Sequence, residues 1–256
     1  MQDAEADDAP QTRLIDHLIE LRSRLMWAIA GLLLVFAALM PFAANLYDKL
    51  AYPLISQLPE GGRMIAIDPA GGFFVPVKVA FFTAIFITAP WLLYQAWAFV
   101  APGLYKREKR LAAPLLVSSV LLFYAGCAFA YFLVLPAVFH FLTQFTPEAV
   151  TMAPDLGKYV DFVLVLFLAF GASFELPIAI VILVLLGWVT PKQLREWRGY
   201  AVVAIFVVAA IITPPDVVSQ LMLAVPMMLL YEIGIFASRF VAPKKIEAES
   251  ETKTET

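Results

Sequence analysis

Long runs of apolar residues, separated by short polar segments, dominate this sequence. A helix needs roughly 20 mostly apolar residues to cross roughly 30 Å of hydrocarbon. The sequence is 62% hydrophobic and 15% charged, whereas soluble domains have about 45–50% apolar and about 25% charged residues. We therefore predict an all-α, polytopic membrane protein with six transmembrane helices in one domain over residues 12–240. The predicted spans cover about 26–44, 73–98, 114–140, 159–186, 200–213 and 217–237.

The last two apolar runs are expected to form a short hairpin around the turn Thr213-Pro-Pro-Asp216. Residues 201–213 would rise only about 20 Å as a helix, and the second run meets a charge at Glu232. Because such helices are shorter than the bilayer, we expect them to thin the membrane locally. Residues 45–72, which are rich in proline and glycine, are predicted to form the longest loop.

The distribution of basic residues predicts the orientation. Fourteen of the 18 lysines and arginines lie in the N-terminal segment, the second and fourth loops, or the C-terminal segment. The positive-inside rule then places both termini in the cytoplasm. The polar tails, residues 1–11 and 241–256, are expected to be disordered. The four basic residues assigned to the opposite side are Lys49, Arg63, Lys78 and Lys158.

The chemistry-bearing motifs of common enzymes are absent from the sequence. It contains no Walker A loop, no Gly-rich dinucleotide loop and no HExxH. Cys127 is the single cysteine, and His17 and His140 lie far apart. We therefore expect no catalytic residue, no disulfide, no metal and no cofactor.

Two acidic residues in segments predicted to face the cytoplasm are candidates for a function. Glu20 lies on an amphipathic helix predicted over residues 12–25, where an i,i+4 pair with Arg24 would stabilise the helix modestly. Glu108 is the single acid in a basic loop, where it would relieve repulsion between like charges. Taken alone, each residue favours this structural interpretation.

Glu175 lies within the fourth predicted span, just before Pro177. An ionised carboxylate costs roughly 2.5–3.5 kcal/mol at the centre of a membrane helix, so such a residue is a functional candidate by default. Thr213 and Gln220 add polar groups to the last two runs. They could bond helices together or serve a function, and the residues leave both interpretations open.

Four motifs, in order along residues 12–240, make this sequence resemble the TatC family, the receptor subunit of the twin-arginine translocase. They are His17–Arg22 (HLIELR), Tyr94–Tyr105 (YQAWAFVAPGLY) with Glu108, Phe170–Pro177 (FGASFELP) and Thr213–Asp216 (TPPD). The resemblance implies a multi-pass protein of the bacterial cytoplasmic (inner) membrane. It also implies a receptor for twin-arginine signal peptides on folded precursor proteins.

The resemblance further assigns roles to residues and partners. It implies signal-peptide binding by Glu20 and Glu108, a functional intramembrane acid at Glu175, and a partner-docking surface that includes Thr213 and Gln220. The implied partners are the single-span subunits TatA and TatB, in an oligomeric complex driven by the proton-motive force. Membrane lipid is a further expected partner, and nucleic acid is not.

The chemistry of the ligand agrees with this assignment, since two separated carboxylates can accept forked hydrogen bonds from two guanidinium groups. Two alternatives stay open. One is a proton-coupled transporter of small molecules that uses Glu175 and Glu232, although transporters of that kind commonly carry internal repeats and this sequence has none. The other is a scaffold that only gathers membrane helices.

Overall fold

The computed structural model describes residues 8–55, 67–100, 109–144, 155–212 and 217–241. All elements in these ranges are helical, as predicted. A 3₁₀ turn, Met40–Phe42, joins the first two helices, and a π turn, Ala130–Val134, joins the fourth and fifth. The helices are α1 Asp8–Leu39, α2 Ala43–Ile55, α3 Gly71–Val100, α4 Lys109–Phe129, α5 Leu135–Gln144, α6 Leu156–Phe174, α7 Leu176–Leu185, α8 Pro191–Glu196, α9 Arg198–Ile212 and α10 Val217–Val241.

Within the described ranges, five helical stretches are long and apolar enough to cross a membrane. The helix α9 is apolar but has only 15 residues, which corresponds to a rise of about 22 Å. The five stretches are His17–Leu50, Gly71–Val100, Ala112–Val138, Leu156–Leu185 and Gln220–Val241.

The prediction of two short final helices is right for α9 and wrong for α10. The helix α10 has 25 residues and continues past Glu232 to Val241. The Glu232 carboxylate accepts a hydrogen bond from Arg198 Nη2 at 2.6 Å, and both side chains are about half exposed. The charge therefore lies at the helix surface with a partner, so it does not end the helix.

The predicted loop over residues 45–72 is also partly wrong, because it contains α2. Residues 43–52 include neither glycine nor proline, so nothing in this part of the chain interrupts a helix. The proline- and glycine-rich part begins at Pro53, close to the end of α2 at Ile55. Similarly, the segment after the fourth span, which was expected to be a loop, forms the short helix α8, and Thr190 caps it with a capping box.

Two of the predicted spans are interrupted at prolines. The π turn Ala130–Val134 ends two residues before Pro136. The helix α6 ends at Phe174, directly before Glu175 and three residues before Pro177. Proline cannot donate the backbone hydrogen bond that a continuous α-helix needs, so the helix adjusts just before it. Glu175 therefore occupies the junction between α6 and α7.

The buried core lies between α3, α6 and α10, with α4, α5 and α9 packed around it. Its members include Val79, Val163, Phe170 and Leu223, all of them almost inaccessible to solvent. The helix α1 lies outside this core, and its main helical neighbour among the described elements is α3. One face of α1 is consequently left open, and it exposes apolar side chains such as Leu33 and Leu34.

Candidate functional site

The helix α1 packs antiparallel to α3 through three contacts. Near the start of α1, the His17 ring stacks on Phe99 with centroids 4.3 Å apart and planes at 24°. Farther along, Trp91 Nε1 of α3 donates a hydrogen bond to the Trp27 carbonyl at 3.1 Å. Toward the other end of both helices, Phe36 meets Phe81 edge to face at 5.5 Å. These contacts hold the first sequence motif beside the last turn of α3.

Gly31 permits the middle contact, because it removes the side chain that would separate the two helices. A Cβ at this position would lie 2.6 Å from Trp91 Nε1, closer than real Cβ contacts allow. The indole of Trp91 can therefore approach α1 closely and reach the Trp27 carbonyl. The position of α1 depends on a glycine opposite a tryptophan.

Glu20 lies one turn beyond His17 on α1. Its Oε1 is 3.5 Å from Arg24 Nη2, and both side chains are about one-third exposed. The i,i+4 pair expected from the sequence is therefore formed. A groove of about 430 Å³ lies on the same helix, lined by Ile19, Arg22, Ser23, Met26, Trp27 and Ala30.

Glu108, the second predicted ligand of the signal peptide, lies outside the residues that the structure describes. It directly precedes Lys109, the first residue of α4. The preceding helix, α3, ends at Val100, next to the His17–Phe99 stack. The structure thus gives the position of Glu20 and of the two helix ends that flank the segment containing Glu108.

Glu175 lies within the bundle and makes one clear side-chain hydrogen bond. Ser119 Oγ of α4 donates to Glu175 Oε2 at 2.6 Å, and Trp97 Nε1 of α3 donates to Ser119 Oγ at 3.4 Å. Glu175 Oε1 is buried and has no partner within the described part of the chain. Leaving a buried acceptor unpaired costs about 1–3 kcal/mol, which marks this carboxyl group as unusual.

A cavity of about 170 Å³ adjoins this carboxyl group. Four of its lining residues, Leu93, Ala96, Trp97 and Val100, follow the i, i+3, i+4, i+7 spacing of one helical face of α3. Phe99, which stacks on His17, lies about 110° around α3 from the centre of this face. The end of α3 thus separates the α1 motif from the Glu175 cavity.

Close packing of α4 on α6 brings Ser119 to Glu175. A Cβ at Gly126 would lie 2.5 Å from the Phe170 carbonyl oxygen, and one at Gly171 would lie 2.7 Å from the Phe123 ring. Ser119, Phe123 and Gly126 are spaced by four and three residues, so they share a face of α4. The glycine contacts therefore set the distance at which Ser119 meets the α6–α7 junction.

The predicted partner-docking residues are only partly described. Thr213 falls between the ranges that the structure covers. Gln220 of α10 is half-buried, and its Nε2 donates to the Phe206 carbonyl of α9 at 3.2 Å. Gln220 therefore bonds the last two helices together, which is the structural option that the sequence left open.

Several residues at these sites were not predicted as functional residues from the sequence. Ser119 and Trp97 were not singled out, although a serine inside an apolar run is a visible signal for an interhelical hydrogen bond. Phe99 lies within a recognised motif, but its contact with His17 joins two distant segments and is not apparent from local spacing. Buried Gln95, whose Oε1 has no partner within the described ranges, belongs to the same motif.

Comparison with known proteins gives a consistent result. Residues 16–226 match the family described as Sec-independent protein translocase protein (TatC). The chain is 52% identical to the Sec-independent protein translocase protein TatC of Escherichia coli K12 over 231 residues, which is 90% of each protein. It is 51% identical to the TatC of Halothiobacillus neapolitanus over 94% of this chain and 66% of that longer protein.

A solved structure shares the fold. A crystal structure of a twin-arginine translocase receptor TatC superposes with a TM-score of 0.79 at 40% identity, and the match covers 88% of this chain and 99% of that one. A second crystal structure, of the same receptor in the detergent DDM, superposes with the same TM-score.

Proposed function

Because this chain belongs to the TatC family of Sec-independent protein translocase proteins, we propose that it is the receptor subunit of a twin-arginine export system. It is a multi-pass protein of the inner membrane. In this proposal it binds twin-arginine signal peptides of folded precursors at its cytoplasmic face. It also assembles with TatA and TatB into an oligomeric complex for transport driven by the proton-motive force.

The observation that carries the proposal is the contact between the first two motifs. The His17–Phe99 stack holds the start of α1 against the end of α3. Glu20 follows His17 by one turn on the exposed end of α1, and the segment with Glu108 follows α3 in sequence. We infer that Glu20 and Glu108 together receive the two arginines of the signal peptide.

The Glu20–Arg24 pair supports this role because it is easily replaced. Exposed ion pairs contribute about 0–1 kcal/mol, and the 3.5 Å separation is long for a charge-assisted hydrogen bond. A guanidinium from a ligand can form two shorter, parallel hydrogen bonds to the same carboxylate. Arg24 would then act as the internal partner that Glu20 exchanges for the signal peptide.

The topology belongs to the same proposal. We propose a single membrane domain over about residues 12–240 with polar tails at 1–11 and 241–256, six crossings, and both termini in the cytoplasm. The basic residues favour this orientation by the positive-inside rule. The helix α9 would be the short fifth span, and the surrounding bilayer would thin to match it.

The partner-docking surface is proposed to lie along α9 and α10. The helix α9 exposes Val203, Val207 and Ile211 to the surroundings, and Gln220 bonds it to α10. Thr213 follows α9 directly in sequence. We propose that the single-span subunits TatA and TatB pack here, and that Glu175 takes part in transport from within the membrane.

Site-specific photocrosslinking tests the receptor proposal. A photoreactive residue at position 20 or 108 should crosslink to a twin-arginine precursor, and changing the two arginines of the precursor to lysine should reduce the yield strongly. Glu108→Gln should weaken crosslinking from position 20, because a neutral amide loses the charge-assisted bond, which contributes about 1.5–3 kcal/mol.

Position 232 provides the matched control. Glu232 is also an acid paired with an arginine and is about half exposed, but it is not part of the proposed site. Crosslinking from position 232 at the same yield as from position 20, or a yield at position 20 that is indifferent to the two arginines, would exclude this binding site. Solute uptake by the purified chain in liposomes would instead support a transporter.

A further inference from the structure

We infer that Ser119 is a positioning residue for Glu175, and that it fixes which carboxyl oxygen is left free to act. The inference rests on the proposed role of Glu175 in transport. It extends that role to α4, where none of the recognised motifs lies. The relevant atoms are Trp97 Nε1, Ser119 Oγ and the two carboxyl oxygens of Glu175.

The first step concerns the hydroxyl group. Serine has one proton to donate and two lone pairs to accept with. Trp97 Nε1 donates to Ser119 Oγ at 3.4 Å, and an indole N–H can only donate. The Ser119 proton is therefore directed away from Trp97 and toward Glu175 Oε2, 2.6 Å away.

The second step concerns burial. Ser119 is 1% exposed and Trp97 is 5% exposed, so water does not compete for this hydrogen bond. The two residues come from α4 and α3, and Glu175 comes from the α6–α7 junction. Side chains from three spans thus meet in one chain of hydrogen bonds, and the backbone of each span fixes the position of its side chain.

The third step concerns the carboxyl group itself. Glu175 occupies the first position before α7 but makes no capping hydrogen bond with its side chain. Ser119 holds Oε2, and Oε1 is left buried without a partner within the described ranges. A carboxyl group without Ser119 could rotate and exchange the two oxygens. With Ser119 in place, Oε1 is the oxygen available to any donor that approaches along the adjoining cavity.

The adjacent serine supplies a matched control. Ser118 is only half-buried and lies about 100° around α4 from Ser119. Replacing either serine with alanine removes one hydroxyl group from the same turn of the same helix. Only the change at position 119 removes the bond to Glu175.

Infrared spectroscopy of the purified protein provides the direct test. The carboxyl band of Glu175 is identified as the band lost in Glu175→Gln. We expect Ser119→Ala to shift this band and Ser118→Ala to leave it unchanged. Trp97→Phe keeps a ring but removes the indole donor, so it should shift the band in the same direction by a smaller amount.

Transport of a twin-arginine precursor into inverted membrane vesicles provides the functional readout. Hydrogen bonds between membrane helices contribute about 0.6 kcal/mol on average and up to about 1.7 kcal/mol, so Ser119→Ala should slow transport about threefold to eighteenfold. Ser118→Ala should transport normally. Crosslinking of the precursor from position 20 should be unchanged in both variants.

The outcomes separate the two proposals. An unshifted Glu175 band in Ser119→Ala, or a shifted band with normal transport, overturns the positioning role while precursor crosslinking still supports the receptor. If precursor crosslinking from position 20 is absent in the parent protein, the receptor proposal fails independently of the infrared result. A shifted band together with slowed transport supports the inference.

Discussion

The first span and the fourth span hold their acidic residues in opposite ways. In the first span, none of the residues in the most apolar stretch is buried within the protein. In the fourth span, which α6 and α7 form, half of the residues in the corresponding stretch are buried. Glu20 on the first span is about one-third exposed and pairs loosely with Arg24. Glu175 on the fourth span is held at 2.6 Å by a buried serine.

This difference teaches how one small bundle can support two kinds of polar site. A loosely paired, exposed acid can exchange its partner for a ligand at little cost. An acid such as Glu175, which has a buried carboxyl oxygen, cannot exchange partners freely, because each lost hydrogen bond leaves an unpaired group in an apolar surrounding. We therefore expect substitutions around Glu175 to affect the fold more than substitutions along α1.

The largest expected effect is the loss of stability when a glycine at a helix contact is replaced with alanine. Gly126 and Gly31 both lie at such contacts, but the atoms opposite them differ. Gly126→Ala would place a Cβ 2.5 Å from the Phe170 backbone oxygen, which cannot move without shifting α6. We expect a loss of about 1–3 kcal/mol of stability, as for other overpacked sites. Gly31→Ala would instead meet the Trp91 side chain, which can move because α1 lies at the edge of the bundle. Its loss should be clearly smaller.

Thermal unfolding of the purified variants in detergent measures both losses. Gly199→Ala is the control, because nothing lies within 4 Å of its added Cβ and alanine is favoured over glycine in a helix by about 0.5–1 kcal/mol. Equal losses at positions 31 and 126 would show that α1 is enclosed as tightly as the fourth span, and the comparison would fail.

The sequence predicts the long apolar helices well because hydrophobic length and local breakers act over short distances. The bounds of α3 and of α6 with α7 agree with the predicted spans within a few residues. The errors arise where a local signal has a partner far along the chain. The charge at Glu232 contributed to the prediction of a short last helix, but Arg198 pairs with Glu232 and α10 continues to Val241. The helix α2 was missed because its flanking prolines and glycines dominated the pattern.

The site was predictable only in part for the same reason. A carboxylate inside an apolar run identifies Glu175 from sequence alone. Its partner Ser119 is 56 residues away, and the contact depends on how Gly126 lets α4 approach α6. The stack of His17 on Phe99 likewise depends on the packing of α1 on α3. Pairings of this kind are set by tertiary packing, which a single sequence does not display.

The next largest effect is expected at the exposed end of the first span, where His17 stacks on Phe99. We expect His17→Ala to reduce precursor crosslinking from position 20 about two- to twelvefold, because stacked aromatic pairs contribute about 0.5–1.5 kcal/mol. His17→Phe should keep most of the yield, since it preserves the stack on Phe99. Equal losses in both variants would mean that the imidazole contributes something other than stacking, and α1 would not be held in the way described.

The smallest expected effect is the loss of stability when the ion pair between α3 and α6 is broken. Lys78 of α3 and Asp161 of α6 form an ion pair at 2.5 Å, but their side chains are 41% and 52% exposed. Despite the short distance, exposed pairs contribute only about 0–1 kcal/mol. Lys78→Ala should therefore lower the unfolding temperature only slightly, and the exchanged pair Lys78→Asp with Asp161→Lys should recover most of that loss.

Salt provides the second measurement on this pair. The parent protein should lose the small advantage over Lys78→Ala as ionic strength rises, because exposed charges are screened over about 10 Å at 0.1 M salt. If Lys78→Ala instead destabilises the protein as much as Gly126→Ala does, at any salt concentration, the pair is part of the core. The interior bundle would then depend on an exposed charge as strongly as on its buried helix contacts, and the division between loosely and tightly held acids would not describe this protein.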